Sequence, residues 1–218
     1  MIELENGDLL ASAYGHFDSD KFPSEYRATM NKTRSFLLRS AARSNWSYVA
    51  TVAAGPYGQE GSGEPVLVRL TRGSHKGRLI CLFRTGRENP IYQCDSDDEG
   101  RTWTRAYPLS WQYSRYGRRR DIVGTDPDVI EMQDGTLVMS FGHKPDFRDD
   151  GNFLAFSTDQ GQSWTGQPTL IHNDCSVNRY TGSGTRRTIC GVFREIAGRP
   201  GLRYGGPLSP CESFVVGH

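Results

Sequence analysis

Short apolar runs, each preceded by a glycine turn, recur along this chain. They cover residues 9–14, 79–84 and 137–141. Asn6-Gly7 and Asp134-Gly135 stand just before two of these runs, and such dipeptides between apolar segments are strong hairpin signals. No helical periodicity rises above noise, so the pattern predicts an all-β chain built from antiparallel hairpins.

The predicted strands group into units of four. A third strand follows in each unit, at residues 35–39, 91–94 and 152–156, and a fourth at residues 47–53, 104–109 and 165–171. The strands 64–70 and 126–132 precede the glycine turns of two units and share an acidic-Pro opening. Four strands in about 60 residues are the size of one blade of a β-propeller. The first unit begins at the Leu4 turn, and its innermost strand is predicted to be missing.

One motif, S-x-D-x-G-x-[ST]-W, occurs at residues 96–103 and again at residues 157–164, and a damaged copy stands at residues 40–46. An Asp side chain can accept hydrogen bonds from backbone N–H groups just ahead of it, and Gly supplies a positive φ. We therefore interpret the motif as a self-stapled hairpin whose Asp holds a turn rather than doing chemistry. The tryptophans of the three copies, Trp46, Trp103 and Trp164, are predicted to lie in the core. Trp111 is predicted to lie in a loop, where it is the better candidate for stacking on a sugar.

Composition excludes several classes of protein. The 218 residues carry a net charge of +1 and are 36% hydrophobic, which gives no reason to expect a nucleic-acid partner. No apolar run reaches the ~20 residues that span a bilayer, and no signal peptide is visible, so the sequence assigns no compartment. The five cysteines have no C-x-x-C spacing, and we expect no metal site, disulfide framework or cofactor.

The motif resembles the Asp-box, or BNR repeat, of the sialidase (neuraminidase) superfamily, where it joins the third and fourth strands of each blade of a six-bladed β-propeller. The resemblance covers residues 4 to about 182. It implies a glycoside hydrolase that acts from the exo end on terminal sugars such as sialic acid. Two alternatives remain: a non-catalytic propeller that binds a glycan or a protein, and an inactive fragment.

Six blades would need about 360 residues at this period. We therefore expect an incomplete array of three to four four-stranded blades over residues 1–184 and an irregular tail over residues 185–218. Open strand edges favour pairing with another chain, so self-association through these edges is expected.

The repeat itself predicts a site. Glu64, Asp126 and, by the same period, Tyr180 open the inner strands, while Arg84 and the pair His143-Lys144 end the second strands. Equivalent positions in successive blades face the same axis, so these side chains are expected to cluster on one face. Turn or packing roles remain the alternative for each residue.

The resemblance adds roles to these positions. Arg84 looks like the second arginine of the family's substrate-binding triad, and His143-Lys144 occupy the place of the third. Tyr180 sits where the family has its nucleophilic Tyr, which Glu64 would activate. Asp18 and Asp20 lie where the family has its acid/base Asp. A neutral Tyr suits this reaction because a carboxylate nucleophile would be repelled by the carboxylate of a sialic acid.

Overall fold

The computed structural model describes residues 1–26, 29–41, 45–112, 118–143 and 151–172. These residues form three four-stranded antiparallel sheets and one two-stranded ribbon, with no α-helix. None of them belongs to a helix long and apolar enough to cross a membrane. The all-β prediction and the incomplete array of antiparallel blades are confirmed.

The strands of each sheet are neighbours in chain order. The first sheet contains β1 (Ile2–Glu3), β2 (Leu9–Gly15), β3 (Arg34–Ser40) and β4 (Trp46–Ala53). The second contains β5 (Gly63–Arg69), β6 (Leu79–Arg84), β7 (Tyr92–Ser96) and β8 (Tyr107–Pro108). The ribbon pairs β9 (Ser110–Gln112) with β10 (Arg119–Asp121). The third sheet contains β11 (Thr125–Glu131), β12 (Leu137–His143), β13 (Gly151–Ser157) and β14 (Thr165–His172).

Three details differ from the sequence-based expectation. The inner strand of the first sheet is present as the two-residue β1, which pairs with β2. The fourth strand of the second sheet is shorter than predicted, because only Tyr107 and Pro108 pair with β7. The ribbon was not predicted, and it places Trp111 in a strand packed against the core rather than in a loop.

The core lies between the sheets. Along β6, Leu79, Cys81 and Phe83 pack toward the first sheet, while Ile80 and Leu82 pack toward the third. All five residues are fully buried, which explains why this strand is continuously apolar instead of alternating. Each sheet therefore depends on its neighbours to bury its faces.

The two intact motifs fold into the same turn. In the first copy, Asp98 accepts hydrogen bonds from the backbone N–H and the hydroxyl of Thr102, at 2.9 and 2.6 Å. In the second copy, Asp159 is bonded in the same way by Ser163. Hydrogen bonds from the Thr102 side chain and backbone lower the pKa of Asp98 to about 2. This carboxylate is thus committed to the turn, as expected.

The tryptophans of the motif differ in burial. Trp164 is 3% exposed and donates to Gln93 Oε1 of the second sheet, whereas Trp103 is half-buried against the first sheet. Each of these two packs against the sheet that precedes its own. Trp46 belongs to the first sheet, no described sheet precedes it, and its side chain is 45% exposed. The prediction that Trp46 lies in the core is wrong for this reason.

Candidate functional site

An open pocket of about 290 Å³ lies between the first and second sheets, at the end where β2 and β6 finish and β5 begins. Tyr14, Glu64 and Arg84 reach it from these three strands. Glu60 reaches it from the segment before β5, and described residues between β2 and β3, among them Tyr26 and Met30, form the opposite wall. The pocket therefore lies at the ends of strands that belong to the first two sheets.

Glu64 enters the pocket from an unusual backbone conformation. Its φ is +48°, and Asp126, its counterpart in the third sheet, has the same value. Both residues precede a proline and lie where a bulge interrupts the pairing of the inner strand with its neighbour. A positive φ is uncommon for residues other than glycine, and strained positions of this kind cluster at functional sites. The shared acidic-Pro opening is the sequence signal of this geometry.

Both carboxylate oxygens of Glu64 are held. Oε1 accepts a hydrogen bond from Arg84 Nη1 at 2.9 Å, and Oε2 accepts one from the backbone N–H of Asp126, also at 2.9 Å. Burial raises the pKa of Glu64 to about 7, against the attraction of Arg84 and with a further contribution from the Asp126 carboxylate. A carboxyl group with this pKa exchanges its proton near neutral pH, as a general acid or base must.

A second carboxylate holds Arg84. Arg84 Nε lies 2.6 Å from Glu60 Oε1, and Nη2 donates to Glu60 Oε2 at 3.2 Å. The side chains of Arg84, Glu60 and Glu64 are 19%, 20% and 24% exposed. The guanidinium is therefore clamped between two carboxylates at the floor of the pocket.

The position of Glu60 depends on a close backbone approach. The backbone N–H groups of Thr33 and Ser62 donate across the sheets to Glu60 O and Thr33 O, at 2.7 and 2.9 Å. Gly61 lies between Glu60 and Ser62 and has φ +93°. A Cβ at this position would lie well inside contact distance of the Thr33 carbonyl. Glycine is therefore required at this position.

The opposite wall is partly aromatic and apolar. Tyr14, Tyr26 and Met30 are 51%, 46% and 39% exposed. The backbone N–H of Ser24 donates to Met30 O, and that of Glu25 donates to Gln59 O, which fixes the wall against the second sheet. Apolar faces beside a few convergent polar groups are typical of small-molecule sites.

Asp20 stabilises this wall from behind and does not line the pocket. Arg34 Nε lies 2.9 and 3.1 Å from its two carboxylate oxygens, and the backbone N–H of Phe17 donates to it at 2.7 Å. The hydrogen bond from Arg34 keeps the pKa of Asp20 below its usual value. An ionised, ion-paired carboxylate favours a structural role, because a general acid must carry a proton. Asp18, two residues earlier, is exposed.

The other predicted site residues are described only in part or not at all. Lys144 and Tyr180 are outside the described residues, and His143 is described only by its backbone at the end of β12. The strand register also changes the equivalence expected from the sequence. Leu9, Leu79 and Leu137 lie opposite the first serine of the three motif copies. Five residues further on stand Tyr14, Arg84 and Gly142, so Gly142 rather than His143 corresponds to Arg84.

Tyr14, Tyr26 and Glu60 were missed as site residues. Register counted from the motif serine would have found Tyr14. Glu60 and Tyr26 lie in irregular segments that carry no repeat signal. Among the described residues, no group of three or more His, Cys, Asp or Glu side chains could hold a metal ion.

The chain matches the family model of the BNR repeat-like domain over residues 1–177. A search of curated proteins found no significant match. Three solved structures illustrate the shared fold. A protein of unknown function from Dyadobacter fermentans is 20% identical over 80% of this chain and 41% of its own, with a TM-score of 0.57. An α-L-arabinanase from Penicillium chrysogenum, complexed with arabinobiose, is 18% identical over 80% and 49%, with a TM-score of 0.54. A Hadza microbial sialidase is 20% identical over 77% and 36%, with a TM-score of 0.52.

In each of these three comparisons the chain spans less than half of the solved protein. At these identities the likeness concerns the fold, which is that of propeller glycosidases.

Proposed function

Because the chain belongs to the BNR repeat-like domain family, we propose that the pocket between its first two sheets is part of a glycoside hydrolase site of the sialidase superfamily. The site would act on a terminal sugar of a glycan, and carbohydrate would be its ligand. The observation that carries the proposal is Glu64. It is a strained, doubly hydrogen-bonded carboxyl group with a pKa of about 7, facing an open pocket with aromatic walls.

Glu64 supplies the proton acceptor that this chemistry needs. In the sialidase-type reaction a tyrosine phenol gives its proton to a carboxylate as its oxygen attacks the anomeric carbon, and the bond to the leaving oxygen breaks. Glu64 would accept that proton, and Tyr180 remains the predicted nucleophile. Asp18 is the better candidate than Asp20 to protonate the leaving oxygen, because Asp20 is neutralised by Arg34.

The proposal is tested by binding and turnover measured on the same protein. Fluorogenic sialosides and arabinofuranosides report turnover, and ligand-observed NMR with the free sugars reports binding. These two sugars are an acidic and a neutral one, and sugars of both kinds are handled by enzymes of this fold. Glu64→Gln should abolish turnover and keep binding, since the amide retains the shape of the side chain but takes no proton.

A matched control removes a charge far from the pocket. Arg78 pairs with Asp97 at 2.7 Å just before β6, at the end of that strand opposite to Arg84. Arg78→Ala should leave binding and turnover unchanged. Binding without turnover by the unmodified protein would favour the non-catalytic glycan-binding function. A protein that neither binds nor cleaves any sugar would overturn the proposal.

A further inference from the structure

We infer that the pocket takes an uncharged sugar and discriminates against one that carries a carboxylate. The inference rests on the proposed function and names its substrate class. It follows from the ion pairs that Glu60 and Glu64 form with the guanidinium of Arg84.

Arg84 is the one permanent cation among the described residues that line the pocket. An arginine recognises a carboxylate through the paired N–H groups of its planar fork. Here Nε and Nη2 face Glu60, and Nη1 donates to Glu64. Two carboxylates therefore already balance the single charge of Arg84, and a ligand carboxylate would add a third negative charge beside them.

The neighbouring cations are also occupied. Lys32 is 8% exposed, lies 3.1 Å from Glu25 and donates to the carbonyl of Gly58. Arg34 is paired with Asp20. Asp126 adds another carboxylate beside Glu64. His16 also lines the pocket. Arg87, whose backbone N–H donates to the Tyr26 hydroxyl, lies 4.0 Å from Glu88. Each of these described cations near the pocket therefore has a carboxylate partner.

The rest of the lining suits a neutral sugar. Tyr14 and Tyr26 offer exposed rings to the apolar face of a sugar ring. Ser24, Asn31 and Thr33 bring hydroxyl and amide groups, and the carboxylates of Glu60 and Glu64 accept hydrogen bonds from sugar hydroxyls. An uncharged sugar can use these groups while the clamp on Arg84 stays intact, so Arg84 acts as a positioning residue for Glu64.

The test compares sugars that differ only in charge. Dissociation constants are measured by ligand-observed NMR for N-acetylneuraminic acid against its methyl ester, and for glucuronic acid against glucose. The uncharged member of at least one pair should bind about tenfold more tightly, the factor that corresponds to about 1.4 kcal/mol. Glu60→Gln should raise the affinity for the acidic member relative to that for the neutral member, because it removes one of the two carboxylates beside Arg84. Glu5→Gln, which removes an exposed charge paired with Arg69, is the matched control and should change neither.

The outcomes separate this inference from the proposed function. Tighter binding of the acidic members by the unmodified protein would overturn the inference and leave the carbohydrate site standing. Equal affinity within each pair would also overturn it. If no sugar of either class binds, the proposed function fails, and the inference fails with it.

Discussion

The buried carboxyl of Glu64 should make the protein less stable as the pH rises. Its pKa is about 7 in the folded chain, against an ordinary value of 4.5. Below the lower value the group is protonated in both the folded and the unfolded chain. Between the two values the unfolded chain releases the proton and the folded chain keeps it. Stability that is present below pH 4.5 is therefore lost progressively up to about pH 7 and then levels off.

The size of the loss follows from the two pKa values. Their difference is about 2.5 pK units, and one unit corresponds to about 1.36 kcal/mol. Titration of Glu64 should therefore make the free energy of unfolding about 3 kcal/mol lower at pH 8 than at pH 4. Glu64→Gln removes the titration. Its amide oxygen can accept from only one of the two donors, Arg84 Nη1 or the Asp126 N–H, and this loss shifts the stability by an amount that does not depend on pH. The free energy of unfolding of the variant minus that of the parent should therefore increase by about 3 kcal/mol between pH 4 and pH 8.

Urea unfolding followed by tryptophan fluorescence, at half-unit steps of pH, measures this difference. Contributions from titrating groups that do not contact Glu64 cancel in the subtraction. Glu5→Gln is a suitable control because the Glu5 side chain is 72% exposed, and its stability difference should change little with pH. The opposite outcome is a difference in the free energy of unfolding for Glu64→Gln that stays constant or falls with increasing pH. Either result would show that the folded protein does not disfavour the ionised form of Glu64. Glu64 would then not be a group that exchanges its proton near neutral pH.

Three further predictions concern the fold and the proposed nucleophile. Trp164→Ala should lower the free energy of unfolding by about 3–5 kcal/mol, whereas Trp46→Ala should change it by less than about 0.5 kcal/mol, both measured by chemical denaturation. Equal effects would contradict the packing of each motif tryptophan on the preceding sheet. Gly61→Ala should lower the free energy of unfolding by about 1–3 kcal/mol, because the new Cβ would meet the backbone of Thr33 and φ is positive there. The melting temperature should fall accordingly, and an unchanged melting temperature would refute this prediction. Tyr180→Phe should abolish turnover of fluorogenic glycosides in any active form of the protein and leave its circular dichroism unchanged, and full residual activity would make Tyr180 a packing residue.

The strands could be predicted because their signals are local. Alternation, glycine turns and the motif each depend on a few neighbouring residues, and β6 matches its predicted bounds. The burial of Trp46 could not be predicted, because it depends on which sheet lies next to the first one. Sequence spacing identifies the tryptophan as equivalent to Trp103 and Trp164 but carries no information about that neighbour.

The convergence of three side chains could be predicted from the repeat. Glu64 and Asp126 share a motif, and the structure brings them together with Arg84. Asp20 shows the limit of this reasoning, because its partner Arg34 lies 14 residues away along the chain. A polar loop does not reveal which of its carboxylates will find a cation. The shift from His143 to Gly142 has a similar origin, since one residue of register moves a side chain to the opposite face.

The location of the core between the sheets has a consequence for cooperativity. A row of sheets that share cores has one interface fewer than it has sheets, so the middle sheet takes part in two interfaces and each outer sheet in one. Such an array behaves approximately as a one-dimensional chain of nearest-neighbour couplings. The hydrogen bond from Trp164 to Gln93 is one such coupling, because it ties the third sheet to the second. Fraying is then least costly at the ends of the row. The pocket between the first two sheets therefore depends on the coupling of an outer unit to the middle one.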